Sequence, residues 1–388
     1  MADAKKKRTD NKETDNAITP INTTAYNYGN QGEEEKKVGI TDLPEDIIRQ
    51  IREFISIDAL LLLENRYLHS LKGRLYFYKF TKKCSLEYHA SEALTEQVHE
   101  RIRDKSLQLS LNLSYSEITD VNALGGVHSL DLSNCRNVTD VSALGDVHTL
   151  NLSNCRNVTD VSMLGDVHTL KLSYCSKITD VSMLGGVHTL DLEDCNVTDA
   201  SALGSVHILN LFYCSNITDV SMLGGVHTLD LSRCYNITDV SALGGVHTLE
   251  LRCCSNVTDV SMLGGVHSLN LYRCSKITDV SALGSVHTLN LSHCCHVTDV
   301  SMLGGVHDLT LFECRGVTDV SALGGVHSLD LSNCKNVTDV SMLGGVHSLN
   351  LSNCSKITDV SMLGGVHDLN LCGCTKIVDF SVLTGVKM

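Results

Sequence analysis

From about Leu107 to the C-terminus the chain repeats one phrase roughly fourteen times. One copy runs from Val127 to Asp146, and the next three begin at Val147, Val167 and Val187. A fixed period of about 20 residues means stacked coils rather than separate globules. A coil of that size cannot enclose a core alone, so stability must be shared with its neighbours and the two ends need caps. Such an array offers surface rather than a catalytic pocket.

We number the residues of one coil from its valine. Apolar residues then fall at positions one, four, six, twelve, fifteen and eighteen, with cysteine at nine; in one copy these are Val127, Leu130, Leu132, Val138, Val141, Leu144 and Cys135. The Leu-x-Leu step alternates as a half-buried strand does. The stretch Asp140 to Leu144 suits a short capped turn of 3-10 helix. The Gly-Gly pair, as in Gly185-Gly186, is expected at positive φ where the chain turns into the next strand. Too few residues remain for a full α-helix on the convex side. The predicted fold is an α/β solenoid: parallel strands on the concave face, short 3-10 turns on the convex face, and a small α-helical domain at the N-terminus.

Irregular coils mark the ends and one interior point. The first coil carries Leu111, Leu113 and Ile118, with Ser116 where cysteine is expected. The last has Val378 for Thr, Phe380 for Val and Lys387 for His. One loop residue is missing at Cys195-Asn196-Val197, and again at Ser116-Glu117-Ile118. Position seventeen tends to alternate Ala and Met (Ala202, Met222, Ala242, Met262), which we read as duplication of a two-coil block.

Three segments follow. Residues 1–38 are polar and read as a disordered leader. Its Lys5-Lys6-Lys7-Arg8 run reads as a solvated basic patch, with nuclear import as the alternative. Residues 39–105 carry helical periods: Asp42-Leu43-Pro44 opens a helix, and Ile47, Ile48, Ile51, Phe54 and Ile55 form one apolar face. Further helices are expected over Leu60–Leu71 and near Ala90–Ile102. Residues 106–388 are the solenoid.

The formal charge of −14 disfavours nucleic acid as a partner. No apolar run reaches membrane-spanning length and no secretion signal is evident, so no membrane partner is expected. Cysteines number 17, about thirteen of them at one phase of the repeat. A column of identical thiols gives no unique pairing, and we expect reduced thiols in a cytoplasmic or nuclear compartment.

The unit Leu-x-x-Leu-x-Leu-x-x-Cys-x-x-Ile-Thr-Asp resembles the leucine-rich repeat. Its Cys-x-x-Ile-Thr-Asp part resembles the cysteine-containing class of F-box adaptors, and Ile-Thr-Asp-Val-Ser-Met-Leu is equally similar to the short repeats of bacterial internalins. The stretch Leu43-Pro44-Glu45-Asp46-Ile47-Ile48, followed by Phe54 to Leu60, resembles an F-box opening. That resemblance implies a substrate-recognition subunit of a cullin-RING ubiquitin ligase. Leu43, Pro44, Ile47, Ile48 and Ile51 would then contact a Skp-type adaptor protein, and the repeats would hold a protein substrate. The tryptophan common late in an F-box is absent, since the chain has none. The alternative is a stand-alone leucine-rich-repeat interaction module or inhibitor, with the helices only capping the first coil. The near-identity of the copies is similar to expanded arrays of large DNA viruses of amoebae, a resemblance that would place the protein in host cytoplasm.

Three columns invite chemistry. The histidines from His128 to His367 are expected as neutral stacked rings, one nitrogen bonding a backbone carbonyl, with no second ligand type in phase beside them. The aspartates (Asp140, Asp160, Asp180 and onward) are expected to cap their own turns rather than bind calcium. The cysteines should point inward, each thiol bonding a carbonyl. In His293-Cys294-Cys295-His296 adjacent residues seldom ligate one ion, so zinc is not expected there. No Ser-His-Asp set, phosphate loop or metal triad stands apart from the repeat. We therefore expect no catalytic residue, no metal, no cofactor and no enzyme activity.

Positions seven and eight vary most and should open onto the concave face or its rim. Near the ends they are mostly Ser and Asn; in the middle they become Phe212, Tyr213, Arg233, Arg252, Tyr272, Arg273, His293, Phe312 and Glu313, with Tyr235 and Arg315 nearby. Aromatics and arginines anchor protein interfaces. Aromatic residues make up only 4% of the chain, so composition does not force this cluster, and it is the expected partner-binding patch.

Overall fold

The computed structural model describes residues 78–79, 109–383 and 386–387. The leader and the F-box-like positions Leu43, Pro44, Ile47, Ile48 and Ile51 lie outside the described residues. Within the segment expected to be helical, residues 78–79 form a strand.

One parallel sheet runs through the described residues, with fifteen strands in sequential order. Strand β1 is Tyr78–Lys79 and β2 is Leu109–Asn112. Strands β3 to β15 each have three residues at positions three to five, from Ser129–Asp131 to Asp368–Asn370. Successive strands pair in perfect register, Leu269 lying beside Leu249 and Leu289. The central leucine of each strand faces inward while its neighbours face the concave surface. On the other side lie short 3-10 segments such as Ser142–Leu144 and Ser281–Leu283.

The interior is one continuous column. Positions one, four, six, nine, twelve, fifteen and eighteen are buried in coil after coil, as Val246, Leu249, Leu251, Cys254, Val257, Val260 and Leu263 illustrate. Each leucine is sandwiched between equivalents one coil away, which is how small coils share a core. Position seventeen is outside that core: Met262 is 61% exposed, so the Ala/Met alternation is not dictated by packing.

The turns follow from the polar columns. The Asp140 carboxylate accepts the Ser142 N–H at 2.9 Å, and the same contact recurs at Asp279 and Ser281. Backbone and hydroxyl donation from Ser142 hold Asp140 below the usual carboxylate range. After the strand, the position-five Asp or Asn accepts the N–H of position seven, as Asp230 does from Ser232 at 2.8 Å. Position eight then takes up the left-handed region, with Asn134 at φ 64° and Asn333 at φ 61°. Its N–H donates to the position-seven carbonyl of the next coil, Asn134 to Ser153 at 2.8 Å.

The expectation for the glycine pair is overturned. Among the described glycines only Gly373 has positive φ, whereas Gly284 sits in the right-handed region at φ −64°. The positive φ lies at position eight instead. Glycine is needed at position nineteen for close approach: a Cβ on Gly284 would stand 2.2 Å from the Met302 carbonyl oxygen of the next coil.

Candidate interaction surface

Positions seven and eight lie at the end of each strand, beside the position-five side chains of the concave sheet. All eleven residues of the expected patch fall among the described residues, and nearly all touch another member. Tyr213 meets Phe212 at 6.5 Å between ring centres and Tyr235 edge-on at 6.2 Å. The Arg233 guanidinium covers the Phe212 ring at 5.6 Å. Further along, Arg273 covers Tyr272 at 5.2 Å, and His293 stands edge-on between Tyr272 and Phe312, 5.1 Å from each. His293 Nδ1 lies 3.1 Å from Glu313, whose carboxylate also faces Arg315 at 3.6 Å.

Between the two groups is a shallow hollow of about 380 Å³, lined by Phe212, Ser232, Arg233, Arg252, Cys253, Asn270, Tyr272 and Asn290. Arg252 is neutralised there, its Nε lying 3.1 Å from Glu250 and its terminal nitrogen 3.8 Å from Asp230. Burial raises the Glu250 carboxyl above its usual range, against the pull of Arg252. Arg233 and Arg273 have no carboxylate partner among the described residues. Ser232 is fully buried and its hydroxyl makes no hydrogen bond. The sequence did not single out Ser232, Glu250 or Cys253, because orphaned or strained groups appear only once neighbours are placed.

The backbone adds a second fact. Tyr213, Arg233, Cys253, Arg273, His293 and Glu313 all hold φ between 56° and 63°. Outer coils mostly fill the same position with Asn (Asn134, Asn154, Asn333 and Asn353), the residue type that tolerates this region best after glycine, although Tyr115, Tyr174 and Asp194 hold it too. The signal that could have located this backbone position is the Asn that recurs there at Asn134, Asn154, Asn333 and Asn353.

The columns are resolved equally. Histidine rings stack at 4.6 to 4.8 Å from His128 to His367. In the six coils with Thr at position three, the histidine Nδ1 meets not a carbonyl but that hydroxyl, as His227 meets Thr228 at 3.2 Å. Asp308 and Asp368 replace that hydroxyl in two coils, so a second ligand type does stand beside the column. In the His293–His296 stretch, Cys294 is buried, Cys295 is exposed, and His296 Nδ1 lies 2.6 Å from the Ser275 carbonyl oxygen. These side chains diverge. No helix among the described residues is long and apolar enough to cross a membrane.

No family model matches this sequence, and no curated protein does. Solved structures do. An internalin, InlF, from Listeria monocytogenes matches with a TM-score of 0.52 at 19% identity, over 76% of this chain and 93% of its own. The functional domain of InlJ from the same organism, which includes a cysteine ladder, matches with a TM-score of 0.52 at 21% identity, over 74% of this chain and 68% of its own. At such identities the likeness concerns the fold alone. Together with the strand order and the 3-10 turns it makes the array a leucine-rich-repeat solenoid.

Proposed function

We propose that this chain is a non-enzymatic recognition protein that holds a protein partner on the hollow between Phe212 and Phe312. The observation that carries this reading is the left-handed column. Side chains that drift at free surface sites should settle on the cheapest residue, and here that is Asn or Gly. From Tyr174 to Glu313 eight successive coils instead hold Tyr, Asp, Arg, Cys, His or Glu at φ between 53° and 63°, and Tyr115 does so in the first coil. Strain retained in one place points to selection for what the side chains do. The guanidinium groups of Arg233 and Arg273, which lie over aromatic rings without a carboxylate partner among the described residues, add charges that a partner would satisfy.

The finer reading is a substrate-recognition subunit of a cullin-RING ubiquitin ligase. In it, Leu43, Pro44, Ile47, Ile48 and Ile51 bind a Skp-type adaptor while the hollow binds the substrate. It is supported by the F-box-like opening alone. The second reading is a stand-alone module. A pull-down with purified adaptor separates them: the wild type is expected to bind and Leu43→Ala/Pro44→Ala is expected not to. If the wild type fails to bind, the ligase reading is lost and the stand-alone module remains. For the hollow, the variant Phe212→Ser/Tyr213→Ser/Tyr272→Ser/Phe312→Ser is expected to lose the partners that the wild type captures from cell extract, with an unchanged melting curve. Capture equal to wild type refutes the surface.

A further inference from the structure

Position three adjoins the histidine column on the concave face. In most coils it is Thr or Ser, and the hydroxyl of Thr288 lies 3.3 Å from His287 Nδ1. In two coils it is aspartate. His307 Nδ1 lies 3.1 Å from an Asp308 carboxylate oxygen, and His367 Nδ1 lies 3.2 Å from Asp368. The register sets Asp308 beside Thr288, and the His287 ring stacks on His307 at 4.6 Å. One ligating atom from each of His287, His307 and Asp308 therefore falls within 4.8 Å of the other two.

We propose that His287, His307 and Asp308 bind a divalent transition metal of the zinc, cobalt or nickel class. Two imidazole nitrogens and one carboxylate oxygen suit these ions, whereas calcium and magnesium prefer all-oxygen shells. Bond lengths of about 2.0–2.2 Å require the donors to draw together by roughly 1 Å. The side chains of His307 and Asp308 are 46% and 42% exposed, so no core packing opposes that swing. A metal also bridges two rings that, so closely stacked, resist double protonation. Three protein ligands leave coordination positions open to water or to a group of a bound partner.

The chain contains its own control. His347, His367 and Asp368 form the same triad. There the Lys387 ammonium already stands 3.2 Å from Asp368. A metal must displace that cation, so this second site is the weaker one.

The test uses the full chain, stripped with chelator and titrated with Co²⁺ at pH 7.5, read by visible absorption and by zinc calorimetry. One site is expected at low metal concentration. Asp308→Asn is expected to weaken it at least about tenfold while leaving the metal-free melting curve unchanged. Asp368→Asn is expected to leave it untouched, and Lys387→Ala to add a second site. Wild-type affinity in Asp308→Asn overturns the proposal, because the histidine ladder alone would then be the ligand. Equal losses in Asp308→Asn and Asp368→Asn overturn it as well, because charge rather than a built triad would then attract the ion. No second site in Lys387→Ala overturns the masking by the ammonium.

Discussion

The thiol of Cys254 donates to the carbonyl oxygen of Leu231, one coil back and 3.1 Å away. The same oxygen accepts the N–H of Cys234 at 3.0 Å, so both its lone pairs are used. The contact recurs from Cys135, bonded to Leu113, to Cys374, bonded to Leu351. Each thiol thus stitches two coils inside the core, and a charged sulfur would destroy the stitch.

Alkali is expected to loosen the array. Burial pushes the Cys155 and Cys254 thiols up to about 12 and Cys175 to about 11, from an ordinary 9.0. Below pH 9 the thiols are neutral in both states and no difference arises. Above it the unfolded chain releases protons that the folded column keeps, so stability falls as pH rises from about 9 toward 11–12. Urea midpoints at pH 8 and pH 10 under reducing conditions should differ clearly; equal midpoints reject the account. Peptide-resolved alkylation at pH 8 should mark the exposed Cys295 and Cys372 before any column cysteine.

Exchanging side chains at position eight should move stability in opposite directions. Cys253 holds φ 62° without the amide that suits this region. Cys253→Asn is expected to stabilise by about 0.5–1 kcal/mol. Asn353 holds φ 62° beside Ser352, and the coils on either side place Ser332, Asn333, Cys372 and Gly373 next to it, so no aromatic ring is there for a guanidinium to cover. Asn353→Arg is expected to cost a similar amount. Thermal melts of the two variants check this, and shifts of the same sign would show that backbone strain is not what distinguishes them.

Gly284→Ala separates two opposing effects. At φ −64° an alanine is conformationally welcome, and unfolded-state entropy alone would stabilise it by about 0.4–1 kcal/mol. The added methyl would stand 2.2 Å from a main-chain oxygen that cannot rotate away. Steric cost should win, with a net loss of about 1–3 kcal/mol. A urea melt showing any gain would mean that neighbouring coils slide apart freely.

Much of this was legible in the repeat. The period fixes register, and register fixes which residues lie inside: Leu249, Leu251 and Cys254 are buried where the alternation put them. The 3-10 turns and the aspartate caps followed from local chemistry. What the pattern could not carry was geometry between coils. Gly284 looked like a turn glycine, yet its role is set by the Met302 carbonyl of the next coil. The patch residues could be named from their types and phase. That Arg233 lies over Phe212, or that Ser232 is left without a partner, needed the neighbours in place. Asp308 was readable as one of three exceptions, with Ile208 and Asp368, in a Thr/Ser column, but it gained meaning only beside the stacked rings of His287 and His307.

Mild acid is expected to weaken the array through the histidine column. Desolvation first, then the charge of neighbouring rings, lowers His128, His188 and His227 from their ordinary 6.5. For a base with a lowered folded value, both states are neutral above 6.5 and no difference arises. As pH falls the unfolded chain takes up protons first, so stability is lost below pH 6.5 and continues to fall through the folded values. The capping aspartates do not interfere in this window, since Asp140 and its equivalents lie below 3.8. A urea midpoint at pH 5.5 below that at pH 7.5 is the expected result. His188→Gln and His227→Gln together should narrow the gap, because each removes a ring that resists charge next to its neighbours. An unchanged midpoint across the two pH values would mean that the stacked rings accept protons at no cost to the coil.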